Sequence, residues 1–198
     1  EETVKRAVSV EVIKQMAALD LEEEPEKKLA VDMALFSFFA CGMPFTDIVR
    51  LSGENLVEEG KVLSYRRQKT GALIEMEVSE SMQLLIDRYR REDSKYLFPV
   101  LEERATHEQY KHCLAQENQY LAEVQVLLGL SARLTTYVFR HSWASAAYHL
   151  GIPIAVISQA LGHSSEKMTR IYLSAFDAGK VGEANKKVSE GIKELMAA

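Results

Sequence analysis

Several side chains able to act on a phosphate group lie close together towards the C-terminal end of the chain. Tyr137, Arg140 and His141 are three and four residues apart, so a helix would bring them to one face. An arginine suits bidentate binding of phosphate, and a histidine can donate to the same oxygens or move a proton. His163 and Tyr172 follow, and a tyrosine hydroxyl can be a covalent nucleophile. The combination points to phosphate chemistry.

Each of these residues has a more ordinary interpretation when it is taken alone. A tyrosine on a helix usually packs, a histidine after a glycine is usually a turn residue, and an Arg-His pair is usually a solvated edge. Three separated pieces in a fixed order carry more information than any one of them. The order and spacing therefore favour a site.

Three short helices are predicted to hold these side chains, and the buried face of the first is predicted at Phe139, Trp143, Ala146 and Leu150. The first ends at Gly151 and the second at Gly162, which leaves His163 just past a helix end. Ser165 is the predicted N-cap of the third helix, and Tyr172 lies near the end of that helix. The cationic and phenolic groups are thus expected on or beside short packed helices.

The same stretch resembles the C-terminal catalytic signature of the tyrosine recombinases, the phage integrase family. That signature reads roughly H-x-x-R-H-[ST]-[FW]-A, then L-G-H-x-S, then a nucleophile in a segment like T-x-x-Y. The matching segments are Tyr137–Ala144, Leu161–Ser165 and Thr169–Tyr172. Tyr137 stands where the family most often has histidine. A tyrosine there can still donate to a phosphate oxygen, but it would not move a proton near neutral pH.

The remaining family positions lie nearer the N-terminus. The family reads T-G-x-R-x-x-E-[LI] at its first catalytic arginine, and alignment on Gly42 puts Pro44 in the place of that arginine. The chain therefore resembles integrases of mobile elements that lack it. Arg50 is the nearest cation in sequence that could replace it. Lys69 matches the catalytic lysine that the family carries on a hairpin as K-T-[GK].

The pattern elsewhere predicts a mainly α fold with a small antiparallel β-sheet at one edge, an α+β class. Residues 72–78 alternate clearly, residues 55–62 and 63–67 alternate loosely with Gly60 marking a turn, and residues 68–71 are a second turn candidate. Ser9, Pro25, Ser79 and Thr106 mark the starts of further helices. The helix after Pro25 is apolar almost all round, so it is expected to be central. The resemblance implies the DNA breaking-rejoining catalytic-domain fold.

Charge and composition bear on the partner and on the compartment. The chain of 198 residues has a net charge of −5, yet residues 61–71 hold four Lys or Arg and no acid. Residues 130–172 hold four more against Glu166 alone. Positive charge is concentrated where the site is expected, and such a patch can steer DNA locally. The two cysteines form no metal pattern, and no apolar run is long enough to span a membrane, which favours a reducing, intracellular location.

The resemblance implies site-specific DNA recombination, with integration or excision of a mobile element through a 3′-phosphotyrosyl intermediate. Tyr172 would be the nucleophile, Arg140 and His163 would stabilise charge on the phosphate, and Lys69 would protonate the departing 5′-hydroxyl. No metal and no cofactor are implied, and the sequence contains no P-loop. The implied catalytic residues are Tyr172, Arg140, His163, Lys69, Tyr137 and His141.

The resemblance also implies an assembly. The partner would be double-stranded DNA, and the protein would act in the bacterial cytoplasm as a homo-tetramer on DNA. Residues 1–198 are interpreted as a single catalytic domain, with residues 1–8 as a linker from an N-terminal core-binding domain. Apolar residues repeat at helical spacing in residues 181–197. That C-terminal helix would either cover its own core or dock on the neighbouring protomer.

Two other interpretations of the chain stay open. The first is a catalytically weakened relative that acts as a DNA- or recombinase-binding module, which Pro44 and Tyr137 suggest. The second is an all-helical interaction module in which Tyr172 only packs. Covalent attachment to DNA distinguishes recombination from both.

Overall fold

Helices are the main secondary structure, and a small antiparallel sheet lies beside them, as the sequence predicts. The computed structural model describes residues 7–173, with the backbone alone for residues 171–173. The helices are α1 (Val10–Ala17), α2 (Pro25–Phe39), α3 (Phe45–Ile48), α4 (Glu80–Tyr89), α5 (His107–Leu127), α6 (Val138–His149), α7 (Ile154–Leu161) and α8 (Glu166–Leu173). The strands β1 (Leu56–Val57), β2 (Val62–Arg66) and β3 (Leu73–Glu77) form a sheet in the order β1-β2-β3.

Helix α2 is the centre of the fold, which confirms the interpretation of its apolar sequence. Every residue from Ala30 to Ser37 is buried, and α2 packs against α1, α4, α5 and α6. Phe36 is fully buried and meets Phe98 edge-on, with the ring centroids 4.9 Å apart. The turn after α2 is buried as well, at Gly42 and Met43, and Gly42 contacts α6 there.

Side-chain caps fix the starts of three helices, at the residues that the sequence indicates. The hydroxyl of Ser9 accepts from the backbone N–H of Val12, and Ser79 caps α4 in the same way. Thr106 and Gln109 form a reciprocal capping box at the start of α5. Such caps satisfy N–H groups that lack partners inside the helix, which is why short polar residues mark helix starts.

The first strand is shorter than predicted. The sequence predicts loose alternation over residues 55–62 with a turn at Gly60, but β1 ends at Val57 because the turn begins two residues before that glycine. Glu58 and Glu59 have φ angles of 52° and 60°, and Gly60 follows at 86°. β2 then pairs antiparallel with β3, with Tyr65 opposite Ile74. The sheet is antiparallel throughout.

Two expectations for α6 are wrong. The helix begins at Val138, so Tyr137 is its N-cap residue, although near-helical angles (φ −79°, ψ −22°) still bring its ring onto the next turn. Leu150 was expected on the buried face but is 81% exposed, because α6 ends at His149 and the chain turns away at Gly151. Ala144 and Ala147 carry the contact with α7 instead.

A small second core joins α6 to α7 and fixes the end of α7. The buried face of α7, at Ile157 and Leu161, packs on Ala144 and Ala147 of α6. Close packing through small residues brings the two helix axes together, so the last carbonyl of α7 reaches the first turns of α6. None of the helices within residues 7–173 combines the length and hydropathy that crossing a membrane requires.

Candidate active site

Arg140 ties together two distant parts of the chain. Its side chain is buried on α6, where Nη1 donates to the carbonyl oxygen of Gly42 at 3.0 Å and Nη2 donates to that of Leu161 at 2.5 Å. Leu161 is the last residue of α7, where carbonyls have no intrahelical partner and the helix dipole is negative. The guanidinium therefore lies between the turn after α2 and the end of α7.

His163 is the next member of the site, and its hydrogen bonds fix its tautomer. Gly162 ends α7 in the left-handed conformation (φ 62°), as predicted, which leaves His163 just past the helix. Nε2 lies 3.3 Å from Nη2 of Arg140, and a guanidinium can only donate, so Nε2 accepts. The proton is then on Nδ1, which donates to Oγ1 of the fully buried Thr169 at 2.8 Å. His163 thus links α6 to α8.

Burial and neighbouring cations change the ionisation of both groups. Burial lowers the pKa of Arg140 to about 10, and the charge of Arg67 contributes, yet Arg140 remains a cation at neutral pH. Burial also lowers the pKa of His163 to about 4, with further contributions from Arg140, Arg67 and Lys69. In the absence of an anion, the site holds a neutral imidazole beside a buried cation.

The lowered pKa of His163 predicts a pH-dependent stability. An imidazole in an unfolded chain has a pKa of about 6.5, against about 4 for His163 in the fold. Between these values the unfolded state binds more protons, so the free energy of unfolding falls as the pH is lowered through this window. We expect His163→Gln to reduce that slope, as measured by urea denaturation from pH 4 to pH 7. Equal slopes in the two proteins would contradict it.

Lys69 lies in the turn between β2 and β3, as the sequence predicts. Its side chain is exposed, and the adjacent Thr70 donates from Oγ1 to the carbonyl oxygen of Gly162 at 3.4 Å. This contact holds the turn against the end of α7, next to His163. The charge of Lys69 is accordingly among the causes of the lowered pKa of His163. The structure therefore brings Lys69 to the side of the site that faces solvent.

Tyr137 and His141 contact each other at the start of α6. Their rings meet edge-on, with centroids 4.8 Å apart and an interplanar angle of 77°. Tyr137 is 46% exposed, whereas His141 is half-buried one turn further along the helix. Both thus lie beside Arg140 in the chain, with the Tyr137 ring towards solvent.

Tyr172, the sequence-predicted nucleophile, lies at the edge of what the structure describes. Its backbone belongs to α8, three residues after Thr169, but its side chain is outside the described atoms. Residues 1–6 and the C-terminal helix expected at residues 181–197 are also outside them. The role of Tyr172 therefore remains a prediction at this point.

Arg67 is a site residue that the sequence interpretation did not single out. It is 7% exposed, and its Nη1 donates to the carbonyl oxygen of Leu161 at 2.9 Å. Nε lies 3.6 Å from Oδ2 of Asp47. The signal was strand parity, because Leu63 and Tyr65 of β2 point inward and Arg67 continues that face. In the sequence interpretation it counted only as one member of a basic stretch.

Asp47 is the counter-charge to Arg67 and comes from α3, an element that the sequence analysis did not predict. Its Oδ1 accepts from the backbone N–H of Gln68 at 3.0 Å, and its side chain is 1% exposed. Burial raises the pKa of Asp47, while the Gln68 hydrogen bond and the charge of Arg67 lower it in part. The carboxylate fixes the end of β2 against the turn after α2.

The expectation that Arg50 could replace the missing arginine is not supported by its contacts. Nη1 of Arg50 donates to the carbonyl oxygen and to Oγ1 of Thr46, at 2.7 and 3.0 Å. Its guanidinium also lies over the ring of Tyr110, 4.8 Å from the centroid. These contacts direct Arg50 back onto α3 and α5. Pro44, at the start of α3, has no backbone N–H to offer.

The cluster is suited to binding a single oxyanion. Two guanidinium groups, an imidazole and a lysine converge around the end of α7, with one carboxylate paired to Arg67. Donors fixed in advance around one position stabilise negative charge that develops there. Within the described residues no cluster of three or more His, Cys, Asp or Glu could hold a metal ion.

Comparison with known proteins gives sequence relatives over most of the chain. The profile of the phage integrase family matches residues 9–178. The tyrosine recombinase XerA of Pyrococcus horikoshii is 25% identical over 160 residues, which are 76% of this chain and 54% of that protein. XerA of Pyrococcus furiosus is 24% identical over 173 residues, 86% and 57% of the two chains. The chain spans little more than half the length of these curated relatives.

Solved structures show the same fold. The Tn1549 transposon integrase, in complex with transposon right end DNA, gives a TM-score of 0.65 at 13% identity over 94% of this chain and 67% of that one. The crystal structure of XerA recombinase gives 0.64 at 17% identity, over 91% and 64%. At such low identity the likeness establishes the fold alone, which is the tyrosine recombinase catalytic-domain fold. Since the sequence profile covers most of the residues that form this fold, the chain belongs to the phage integrase family.

Proposed function

We propose that the protein carries out site-specific DNA recombination by cutting and rejoining strands through a 3′-phosphotyrosyl intermediate. The observation that carries the proposal is the convergence of Arg140, His163 and Lys69 around the end of α7. This is a cationic, partly buried position fit for one phosphate. Family membership supports Tyr172 as the proposed nucleophile, on the helix that His163 contacts through Thr169.

In the proposed reaction, the Tyr172 hydroxyl attacks the scissile phosphate. The hydroxyl gives up its proton to water as the phosphotyrosyl bond forms, the bond to the 5′-oxygen breaks, and Lys69 supplies the proton that the leaving oxygen takes up. The 5′-hydroxyl of the partner strand then attacks the phosphotyrosyl bond, so that the DNA is rejoined and Tyr172 is released. The number of phosphodiester bonds is unchanged, so no external energy source is needed.

The other site residues stabilise the phosphate while it carries additional charge. Arg140 donates to its oxygens from a buried position where electrostatic interactions are stronger than in water. His163 is neutral in the free site, with its hydrogen on Nδ1. It can donate to the phosphate once Nε2 carries a hydrogen, and a bound anion promotes this because negative charge nearby raises the pKa of the imidazole. His141 supports Arg140 or contacts the phosphate, and Tyr137 donates from its hydroxyl.

The partner we propose is double-stranded DNA at the ends of a mobile element. One structural neighbour is a transposon integrase in complex with transposon end DNA, and another is the XerH recombinase bound to its difH substrate. Because this chain covers only part of its relatives, the DNA bound in those structures supports the proposal and does not transfer directly. We further propose the bacterial cytoplasm as the location.

The proposed assembly is a homo-tetramer on DNA. In it, residues 1–198 are one catalytic domain, residues 1–8 are the linker from a core-binding domain, and the helix at residues 181–197 docks on the neighbouring protomer. The apolar repeat in that helix supports the assignment. A tetramer supplies the four active sites that exchange of two duplexes requires.

A second candidate function is a DNA- or recombinase-binding module that does not cut. Two specific observations favour it: Pro44 offers no donor where the family has an arginine, and Tyr137 stands in place of a histidine. Losing one fixed donor to a developing oxyanion typically costs about 10²–10³ in rate. That loss is small beside total enzymatic accelerations of roughly 10⁶–10¹⁷, so we favour an active enzyme.

Covalent trapping tests the proposed function. The protein at its natural length is incubated with nicked duplexes that carry the DNA flanking its own gene, and the products are separated under denaturing conditions. We expect a protein–DNA adduct, and peptide mapping is expected to find the nucleotide on the peptide that contains Tyr172. A protein that binds these duplexes, remains folded and forms no adduct would establish the binding module instead.

A further inference from the structure

Two buried guanidinium groups meet at one carbonyl oxygen. Nη2 of Arg140 and Nη1 of Arg67 both donate to Leu161, at 2.5 and 2.9 Å. The two arginines come from different elements, α6 and the end of β2, and each is more than nine-tenths buried. Nitrogens that share one acceptor lie close enough to contact a single tetrahedral anion. Because the two arginines are 73 positions apart in the sequence, no local motif contains both of them.

The pair carries more positive charge than its surroundings neutralise. Among the described residues, Asp47 is the carboxylate within ion-pair distance of either guanidinium, and it contacts Arg67 alone, at 3.6 Å. His163 is neutral in this state, and Lys69 adds a further cation nearby. Buried like charges repel strongly unless they are compensated. An anion bound between Arg67 and Arg140 would compensate them.

Arg67 also has unused hydrogen-bonding capacity. Within the described part of the chain, its buried Nε has no hydrogen-bond acceptor, and neither does Oδ2 of Asp47 have a donor. These two atoms face each other 3.6 Å apart, as an ion pair slightly too long for a hydrogen bond, so Nε is directed to Asp47 and the rest of the guanidinium is what an anion would contact. A guanidinium has five N–H donors in a fixed planar fork, and the hydrogen bond from Arg67 to Leu161 uses one of them.

The fold places a donor, Arg67, beside the segment in which Pro44 offers none. Pro44 opens α3 with no donor of its own, but three residues later Asp47 reaches from α3 to Arg67 and to the backbone N–H of Gln68. The turn after α2 therefore contributes a carboxylate that holds an arginine from β2. Gly162 leaves space for this arginine, since a Cβ there would lie 2.7 Å from Cδ of Arg67.

We propose that Arg67 is the second phosphate-binding arginine of the active site, supplied from the end of β2. It would contact a non-bridging oxygen of the scissile phosphate while Arg140 contacts the other. This inference rests on the proposed function for the identity of the phosphate. The binding of an oxyanion by the Arg67–Arg140 pair, however, does not depend on strand cleavage, and the two can be tested separately.

The first test measures oxyanion binding without DNA. Orthovanadate is titrated calorimetrically into the natural-length protein and into Arg67→Gln, Arg140→Gln and Arg50→Gln. Arg50 is a matched control, because it is an arginine near Asp47 in sequence whose guanidinium is directed to Thr46 and Tyr110. We expect Arg67→Gln and Arg140→Gln each to weaken binding at least tenfold, a roughly 1.4 kcal/mol loss, and Arg50→Gln to change it less than twofold.

The second test measures cleavage of the nicked duplex. We expect Arg67→Gln to slow adduct formation by about 10²–10³, Arg67→Lys to recover part of that loss, and Arg50→Gln to leave the rate unchanged. Arg67→Lys also keeps a positive charge beside the buried carboxylate of Asp47, so this variant is expected to retain the fold. For Arg67→Ala, we expect dilute guanidinium chloride to restore cleavage where sodium chloride at equal ionic strength does not.

The outcomes separate the two proposals. Wild-type protein that binds orthovanadate through Arg67 but forms no adduct would overturn the proposed function and leave the anion site in place. Wild-type protein that does not bind orthovanadate, or a folded Arg67→Gln variant that binds it and cleaves DNA as well as wild type, would overturn the assignment of Arg67. Folding of each variant is checked by thermal unfolding before either assay.

Discussion

Replacement of Tyr172 by phenylalanine is expected to abolish the covalent protein–DNA adduct while leaving DNA binding intact. The hydroxyl oxygen is the atom that forms the bond to phosphorus in the proposed reaction, so its removal leaves nothing to attack. Removing the nucleophile of a covalent mechanism commonly costs 10⁴ or more in rate. The measurement is adduct yield on a nicked duplex, with binding followed by electrophoretic mobility.

Tyr137→Phe is the matched comparison for this loss. It removes the same hydroxyl from a tyrosine that lies in the site, in ring contact with His141, but that hydroxyl is assigned to donate to phosphate and not to attack it. We expect Tyr137→Phe to form the same covalent adduct as wild type, but more slowly. An adduct that persists in Tyr172→Phe would move the nucleophile to another residue.

The position of Tyr172 follows from an element that the structure does describe. Thr169, three residues earlier on α8, is fully buried and accepts from Nδ1 of His163. One face of α8 is thus fixed to the same imidazole that contacts Arg140. Residues three apart lie on one side of a helix, so residue 172 is on the side of α8 that contains Thr169. If Tyr172 merely packed, Tyr172→Phe would alter stability and leave any adduct unchanged.

Local rules explain why much of the fold could be predicted. Ser9, Ser79 and Thr106 mark helix starts because their side chains accept backbone N–H groups within the next turn. Gly162 marks the end of α7 because the left-handed conformation favours glycine. These signals act over a few residues, and so they can be recognised in the sequence.

The active-site contacts depended on distances in space that the sequence does not give. Arg140 is fixed by carbonyl oxygens of Gly42 and Leu161, which are 98 and 21 positions away. Any residue supplies a carbonyl, so no residue type identifies these acceptors. α3 was not predicted because one turn of four residues has too little periodicity to detect. Since Asp47 lies on α3, its pairing with Arg67 was hidden as well.

The close approach of Gly42 to α6 leads to the largest expected effect on stability. Gly42 has a φ of 72°, and a Cβ added there would lie 2.7 Å from Cα of Arg140, a backbone atom that cannot rotate away. The left-handed conformation costs alanine about 1–2 kcal/mol, and forced overpacking adds typically about 1–3 kcal/mol. We therefore expect Gly42→Ala to lower the free energy of unfolding by about 2–5 kcal/mol.

Gly71→Ala separates the two parts of that loss. Gly71 has a similar φ of 68°, but nothing lies within 4 Å of a Cβ built on it. Chemical denaturation of both variants should show the conformational cost alone at Gly71 and the additional steric cost at Gly42. Equal losses would mean that α6 moves aside freely, which would contradict the close packing of Arg140 against this turn. Because a Cβ at residue 42 would press on the backbone that carries the Arg140 guanidinium, Gly42→Ala should also weaken orthovanadate binding even under conditions where the variant is fully folded.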